Sequence, residues 1–254
     1  GIIRSIYYAI RWGEMSNESS EAIRDIVYLC STCRSCEIKC KASAAGLPLV
    51  DIIEEGRKLL VEKMIGPLPD HIKVLESIER EGNPYEEPAS ARLGWLDILR
   101  ERGLHPKILP DDGTSEILLF PGCTASYNES IQETARALVS ILEAAGIDWG
   151  VLKDDRCCAS PARRIGEEGL FQEISEKNLK TFKSCGVKHI VTISPHCYNT
   201  FISEYPEDMA GIKVQHYTQL LADLLNDGKL KLEKEIKKTV TYHDPCYLGK
   251  RNEI

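Results

Sequence analysis

The feature that most constrains this chain is its cysteine content: ten cysteines in 254 residues, four of them at Cys30, Cys33, Cys36 and Cys40. That run reads C-x2-C-x2-C-x3-C. Three thiolates spaced two residues apart can wrap one corner of a cubane cluster, each reaching a different iron from a tight loop. A structural zinc site usually takes two C-x2-C knuckles divided by a longer spacer, so the triple spacing disfavours zinc. Four buried structural cysteines explain so dense a run poorly. The motif therefore predicts a [4Fe–4S] cluster held by Cys30, Cys33, Cys36 and Cys40.

The run follows the bacterial ferredoxin spacing, with two departures. Such runs end in Cys-Pro, whereas Lys41 follows Cys40 here. In two-cluster ferredoxins the fourth cysteine serves the other cluster, and this sequence has no second run. Either Cys40 closes its own cluster, or a partner motif precedes Gly1.

Charge and hydropathy narrow the class. No apolar run reaches eighteen residues, so no transmembrane segment is expected. A net charge of -7 lacks the electrostatic footprint of a nucleic-acid binder. The segment Lys229 to Lys238 mixes Lys and Glu as a solvated helix face does. Near the start, Ile2, Ile3, Ile6, Tyr7 and Ile10 recur at helical spacing with Arg4 and Arg11 between them. This is not a cleavable signal and reads as a packed amphipathic helix rather than a membrane-surface one. Cysteines without a secretory signal belong to a reducing compartment, which places the protein in the cytoplasm.

Three stretches differ in character. Residues 1–56 are helical and carry the first cysteine run, with a helix from Glu21 to Leu29 capped by Ser19 or Ser20. Residues 57–113 have no cysteine and several prolines, and read as a helical linker. From 114 to 254 the pattern alternates between strand and helix, which predicts an α/β layer with a mostly parallel sheet. Strands are expected at Ile117–Phe120, Ile147–Leu152, Val187–Ile193 and Thr239–His243. Helices are expected after Gly122 through Leu142 with Gly146 as the stop, from Gly166 to Phe182, and from Thr218 to Leu225. The fold class is thus α+β overall, helical first and α/β after. No glycine-rich phosphate loop occurs in either usual spacing, so nucleotide binding has no support.

The remaining cysteines recur in turn-like contexts: Phe-Pro-Gly-Cys123, Arg-Cys157-Cys158-Ala, Ser-Pro-His-Cys197 and His-Asp-Pro-Cys246. They fall at strand-to-helix junctions, where ligands gather in open sheets. With the first run, the segment Pro195–Phe201 and the segment His243–Gly249, this order resembles the heterodisulfide-reductase-like iron–sulfur subunits that carry cysteine-rich CCG domains. Related subunits serve lactate, glycolate and glycerol-3-phosphate oxidising complexes. The resemblance implies a ferredoxin-like helical domain followed by paired CCG modules, one of which can hold a non-cubane [4Fe–4S] cluster. Carried over by position, Cys123, Cys157, Cys158 and Cys197 are ligands of the first module. Cys246 begins a second module, and the chain reads as a segment of a longer polypeptide. Two positions depart from the pattern: Ala159 replaces a glycine, and Ser194 stands where a fifth cysteine is usual. The second cluster is therefore expected as a non-cubane group, an open or cubane one, or none.

Among other candidates, Cys185 matches no ligand position and reads as a small buried residue. His196, His216 and His243 read as structural hydrogen-bonders beside cysteine turns. No catalytic acid–base pair is identifiable. The resemblance implies an electron-transferring oxidoreductase subunit that passes electrons between the cubane and the CCG module and reduces a disulfide. The alternatives are a pure relay between a flavoprotein dehydrogenase and a membrane quinone partner, and a zinc-stabilised scaffold. The implied partner is a flavoprotein or a membrane-bound electron-transfer subunit, which would place the protein peripherally at a membrane.

Overall fold

The computed structural model describes residue 4 and residues 17–40, 46–205, 209 and 211–254. The expected N-terminal helix over Ile2 to Ile10 lies outside them. In chain order the helices and strands are α1 (Asn17–Tyr28), α2 (Ser35–Lys39), α3 (Leu49–Glu62), α4 (Pro69–Glu81), α5 (Asp97–Glu101), β1 (Lys107–Leu109), β2 (Ile117–Phe120), α6 (Gly122–Tyr127), α7 (Glu129–Ala144) and β3 (Trp149–Leu152). They continue as α8 (Ser160–Ile165), α9 (Glu168–Ser184), β4 (His189–Thr192), α10 (Pro195–Asn199), β5 (Lys213–His216), α11 (Tyr217–Asn226) and α12 (Gly249–Asn252). The chain forms two compact units, each drawn from separate stretches. Among the described residues, one takes those up to 80 with 159–173 and 244–254, and the other takes 81–158 and those from 174 to 243.

The second unit is built on a sheet of five parallel strands in the order β1-β3-β2-β4-β5. Parallel strands buried on both faces need continuous apolar runs, and β2 (Ile-Leu-Leu-Phe) and β3 (Trp-Gly-Val-Leu) are buried throughout. α7 packs one apolar stripe, Ala135, Leu138, Val139 and Leu142, into the core with Trp95, Leu99, Leu119 and Val151. Its start is capped by Asn128, whose side chain accepts from the Ile131 N–H at 3.3 Å. Gly146, at φ +66°, stops it.

The first unit is helical. Val27 of α1 and Leu60 of α3 are fully buried, with Ile23, Ile52 and Ile53 packed on them. Its three stretches are tied by polar contacts. Glu54 of α3 pairs with Arg164 of α8 and, at 2.7 Å, with Arg251 of α12. Arg57 donates to the Arg164 carbonyl, and the Tyr28 hydroxyl donates to the Ile165 carbonyl at 2.8 Å.

Several expectations change. α1 already begins at Asn17, so Ser19 and Ser20 lie inside it rather than capping it. Residues 57–80 fall in the first unit and 81–113 in the second. Leu60 is buried in the first unit, Trp95 and Leu99 are buried in the second, and β1 is an edge strand of the sheet. β1 and β5 escape a periodicity reading because each is too short to show one: Lys-Ile-Leu and Lys-Val-Gln-His. Thr239–His243 forms no strand, and Lys229 to Lys238 forms no helix. There Leu232, Ile236, Val240 and Tyr242 are 77–82% exposed, so no apolar surface offsets the entropy of ordering the segment.

Candidate functional site

The strand order explains how widely separated cysteines meet. β3, β2 and β4 are adjacent, and the chain leaves the carboxyl end of each into a cysteine loop. β2 leads to Pro121-Gly122-Cys123, β3 to Arg156-Cys157-Cys158, and β4 to Ser194-Pro195-His196-Cys197. Chain progress from β3 to β4 steps across β2, and such a reversal opens a crevice at the strand ends.

All four thiols are buried, Cys123 at 8% exposure and the others at 2–5%. They form a chain of contacts: Cys123 hydrogen-bonds to Cys157, Cys157 to Cys158, and Cys158 to Cys197. Those bonds, together with burial, push the Cys123 and Cys158 thiols well above the ordinary range. A thiol so placed keeps its proton until a cation takes its place, which is how metal binding couples to proton release.

The surroundings hold the loops in register. Asn178 of α9 donates to the Cys157 carbonyl at 2.9 Å and to the Tyr205 hydroxyl at 2.8 Å. The Tyr205 hydroxyl in turn donates to the Cys158 carbonyl at 3.2 Å. Behind them, Phe120, Phe182, Phe201 and Tyr205 pack edge to face. Gly122 has φ +77°, and a Cβ there would lie 3.2 Å from Cys197 Sγ and 3.3 Å from Ser194 Cβ. The glycine therefore leaves room where two cysteine loops approach. Ser194 caps α10, its hydroxyl accepting from the Cys197 N–H at 3.3 Å.

One charged pair faces this group, and it was not foreseen from the sequence. Arg92 Nη1 donates to Cys123 Sγ at 3.3 Å, and its Nε pairs with Asp155 at 2.7 Å. Both side chains are 3% exposed. Burial opposes the Arg92 charge, but Asp155 and Cys123 outweigh it and hold the guanidinium well above its ordinary range. Burial raises the Asp155 carboxyl despite the arginine beside it.

The first cysteine run lies in the helical unit. It follows α1 and encloses the single turn of α2. Thr32 and Arg34, in the two C-x2-C spacers, sit in the left-handed region at φ 54° and 60°. Each costs about 1 kcal/mol for an L side chain, and such strain gathers at functional loops. Arg57 donates to the carbonyls of Val27 and Cys30, closing the end of α1 at the first cysteine. The Cys33 thiol donates to the Ser35 hydroxyl at 3.3 Å; hydrogen bonding with the Ser35 hydroxyl and amide and with Ser31 brings it down to about 7, whereas burial raises Cys36.

Cys246 belongs to this helical unit rather than to the unit of the other four. Beside it, the buried Tyr247 hydroxyl bonds the Thr32 hydroxyl at 2.7 Å, and Lys250 donates to Ser35 at 2.7 Å. Cys185 is buried and away from the thiol chain at the end of α9. His216 is tied to the Ile193 carbonyl at 2.9 Å and to Thr218 at 2.8 Å, a structural role.

The donor set suits an iron–sulfur group. Four buried thiols lie in a chain of contacts, with a cation against one of them and no fifth thiol at Ser194. Among the described residues, no three His, Cys, Asp or Glu side chains close on a point for a single ion. A four-iron group needs no such convergence, since each thiolate takes a different iron.

Comparison with known proteins agrees. A cysteine-rich CCG domain model matches residues 117–202. The chain is 36% identical over 235 residues to the EtfAB:quinone oxidoreductase of Syntrophomonas wolfei, covering 91% of this chain and 32% of that protein. It is 36% identical over 231 residues to the probable iron-sulfur-binding oxidoreductase FadF of Bacillus subtilis, covering 90% and 32%. It is 32% identical over 244 residues to a subunit of the dihydromethanophenazine:CoB–CoM heterodisulfide reductase of Methanosarcina barkeri, covering 93% and 56%. The chain thus spans between a third and a little over half the length of these relatives. No solved structure gives a significant match. The chain thus matches a CCG cysteine-rich domain over residues 117–202 and is similar, over about nine-tenths of its length, to iron–sulfur and heterodisulfide-reductase oxidoreductase proteins.

Proposed function

We propose that this chain is an electron-transferring subunit with two iron–sulfur groups, a [4Fe–4S] cubane at Cys30, Cys33, Cys36 and Cys40 and a second group at Cys123, Cys157, Cys158 and Cys197. The observation that carries this reading is the meeting of four buried thiols on loops from three adjacent strands. Such groups, when bound, supply one-electron transfer. The protein's own residues supply the rest. Ser31 and Ser35 direct hydrogen bonds at Cys33, the Arg57 guanidinium fixes the Cys30 end, and the aromatic layer keeps water from the second site. Cys246, as the start of a further module, is the third place for a ligand.

The partner in this reading is a flavoprotein or membrane-bound redox protein, with this chain cytoplasmic and peripheral. No helix among the described residues is long and apolar enough to cross a membrane. A relay toward quinone is favoured by the 36% identity to a protein named as a quinone oxidoreductase. Disulfide reduction is favoured by the likeness to the heterodisulfide reductase component of Methanosarcina barkeri. Turnover of a disulfide by the isolated protein separates the two.

The assignment of ligands is tested by iron and sulfide counts on anaerobic protein. Cys33→Ser and Cys197→Ser should each lose a different cluster's worth of iron, about four atoms for a cubane, while Cys185→Ala keeps all of it. Equal iron content in the three variants would show that these cysteines are not ligands.

A further inference from the structure

Arg92 is an unusual residue to bury. Its side chain is 3% exposed, its Nε is committed to Asp155, and its Nη1 points at Cys123 Sγ. Its Nη2 is buried and makes no hydrogen bond of ordinary geometry among the described residues, although the Tyr127 ring lies 5.9 Å from the guanidinium carbon. A guanidinium carries five donors in a fixed fork, and leaving one without an acceptor in a dry site costs roughly 1–3 kcal/mol. Four neighbouring thiols, once ionised, bring concentrated negative charge that burial makes expensive. Arg92 sets a cation against them, in contact with a candidate ligand sulfur.

We propose that Arg92 is a positioning residue for the CCG-domain group. It holds the Cys123 thiolate through Nη1, gives Nη2 to an inorganic sulfide, and shifts the group's one-electron reduction equilibrium toward the reduced form. This rests on the reading of Cys123, Cys157, Cys158 and Cys197 as ligands. The physical basis is that adding an electron adds negative charge, and a fixed buried cation favours the state with more of it. Asp155 anchors the fork from the Nε edge, so the cation cannot swing away from Cys123.

The test uses the full anaerobic protein and a redox titration followed by electron paramagnetic resonance. The signal of this group is identified by its disappearance in Cys197→Ser. Arg92→Gln, which keeps a side-chain amide donor but removes the charge, should retain iron and sulfide. Its reduction equilibrium should move at least tenfold toward the oxidised form, about 59 mV lower for one electron. Arg92→Lys, which keeps the charge, should recover the larger part of that shift. An equilibrium within threefold of wild type in Arg92→Gln overturns the proposal, as does a lysine variant shifted as far as the glutamine one. If Arg92→Gln does not fold, Arg92→Gln with Asp155→Asn removes the stranded carboxylate. The equilibrium should still fall, because the lost cation touches Cys123 and the lost anion does not; an unchanged value overturns the proposal. If Cys197→Ser loses neither iron nor signal, the ligand assignment itself fails and this inference falls with it.

Discussion

At the scale of single residues, the site depends on what is missing as much as on what is present. Gly122 has no side chain where a Cβ would sit 3.2 Å from Cys197 Sγ, and its φ of +77° is one that L side chains rarely adopt. Both effects act on the same loop. Gly122→Ala should therefore cost about 1–2 kcal/mol through its backbone alone and lower iron and sulfide as far as Cys197→Ser does. Full iron content in Gly122→Ala would show that the approach of the β2 and β4 loops is not needed for binding. The cysteines proposed as ligands stood out in the sequence, because thiolate ligation needs one residue type. Arg92 and Asp155 were not, since an arginine 31 positions before Cys123 in a cysteine-free stretch carries no local signal.

At the scale of elements, the junction from the cysteine pair into α8 holds a testable strain. Ala159 precedes α8 at φ +66°, in the left-handed region, where the family pattern has glycine. An alanine there is strained, while glycine adopts the conformation freely at some cost in unfolded-state entropy. Ala159→Gly should raise the unfolding free energy by about 0.5–1 kcal/mol. A higher urea midpoint at unchanged slope would be the sign of it, and a lower midpoint would refute it. Elements with full apolar stripes, such as α7, and with continuous apolar runs, such as β2, were legible because burial imposes a period. The segment 229–243 was misread for the converse reason. Lys and Glu from Lys229 to Lys238 have the spacing of a solvated helix face and Thr239 to His243 reads as a strand, yet Leu232, Ile236, Val240 and Tyr242 remain exposed.

At the scale of the whole molecule, charge placement sets a response to pH. Burial holds His189 and His216 below the ordinary histidine value. Well above pH 6.5 both are neutral in the folded and unfolded chain and contribute nothing to the pH dependence. As pH falls below that value the unfolded chain takes up protons that the fold does not, so stability declines with acidification. Unfolding free energy should drop from pH 7 to pH 5.5. His216→Gln should flatten the slope by less than about 1.4 kcal/mol per pH unit, the ceiling for one group. An identical slope in the variant would mean that His216 titrates normally.

The sequence by itself determined which atoms are available for chemistry. Thiolates at Cys30, Cys33, Cys36 and Cys40 are neighbours in the chain, so their spacing alone confines them to one loop. It also determined the alternation of strand and helix from Ile117 onward, because apolar periodicity is a local property. Which distant thiols meet was decided only by tertiary structure. Cys123, Cys157, Cys158 and Cys197 come together because β2 lies between β3 and β4, an order that depends on how the crossovers pack and not on any one segment. The same holds for Cys246. Its chain position suggests kinship with the turn at Cys123, yet Tyr247 and Lys250 bond Thr32 and Ser35 of the first run, and Arg251 bonds Glu54. Local sequence places a candidate thiolate, and long-range packing decides which others lie beside it.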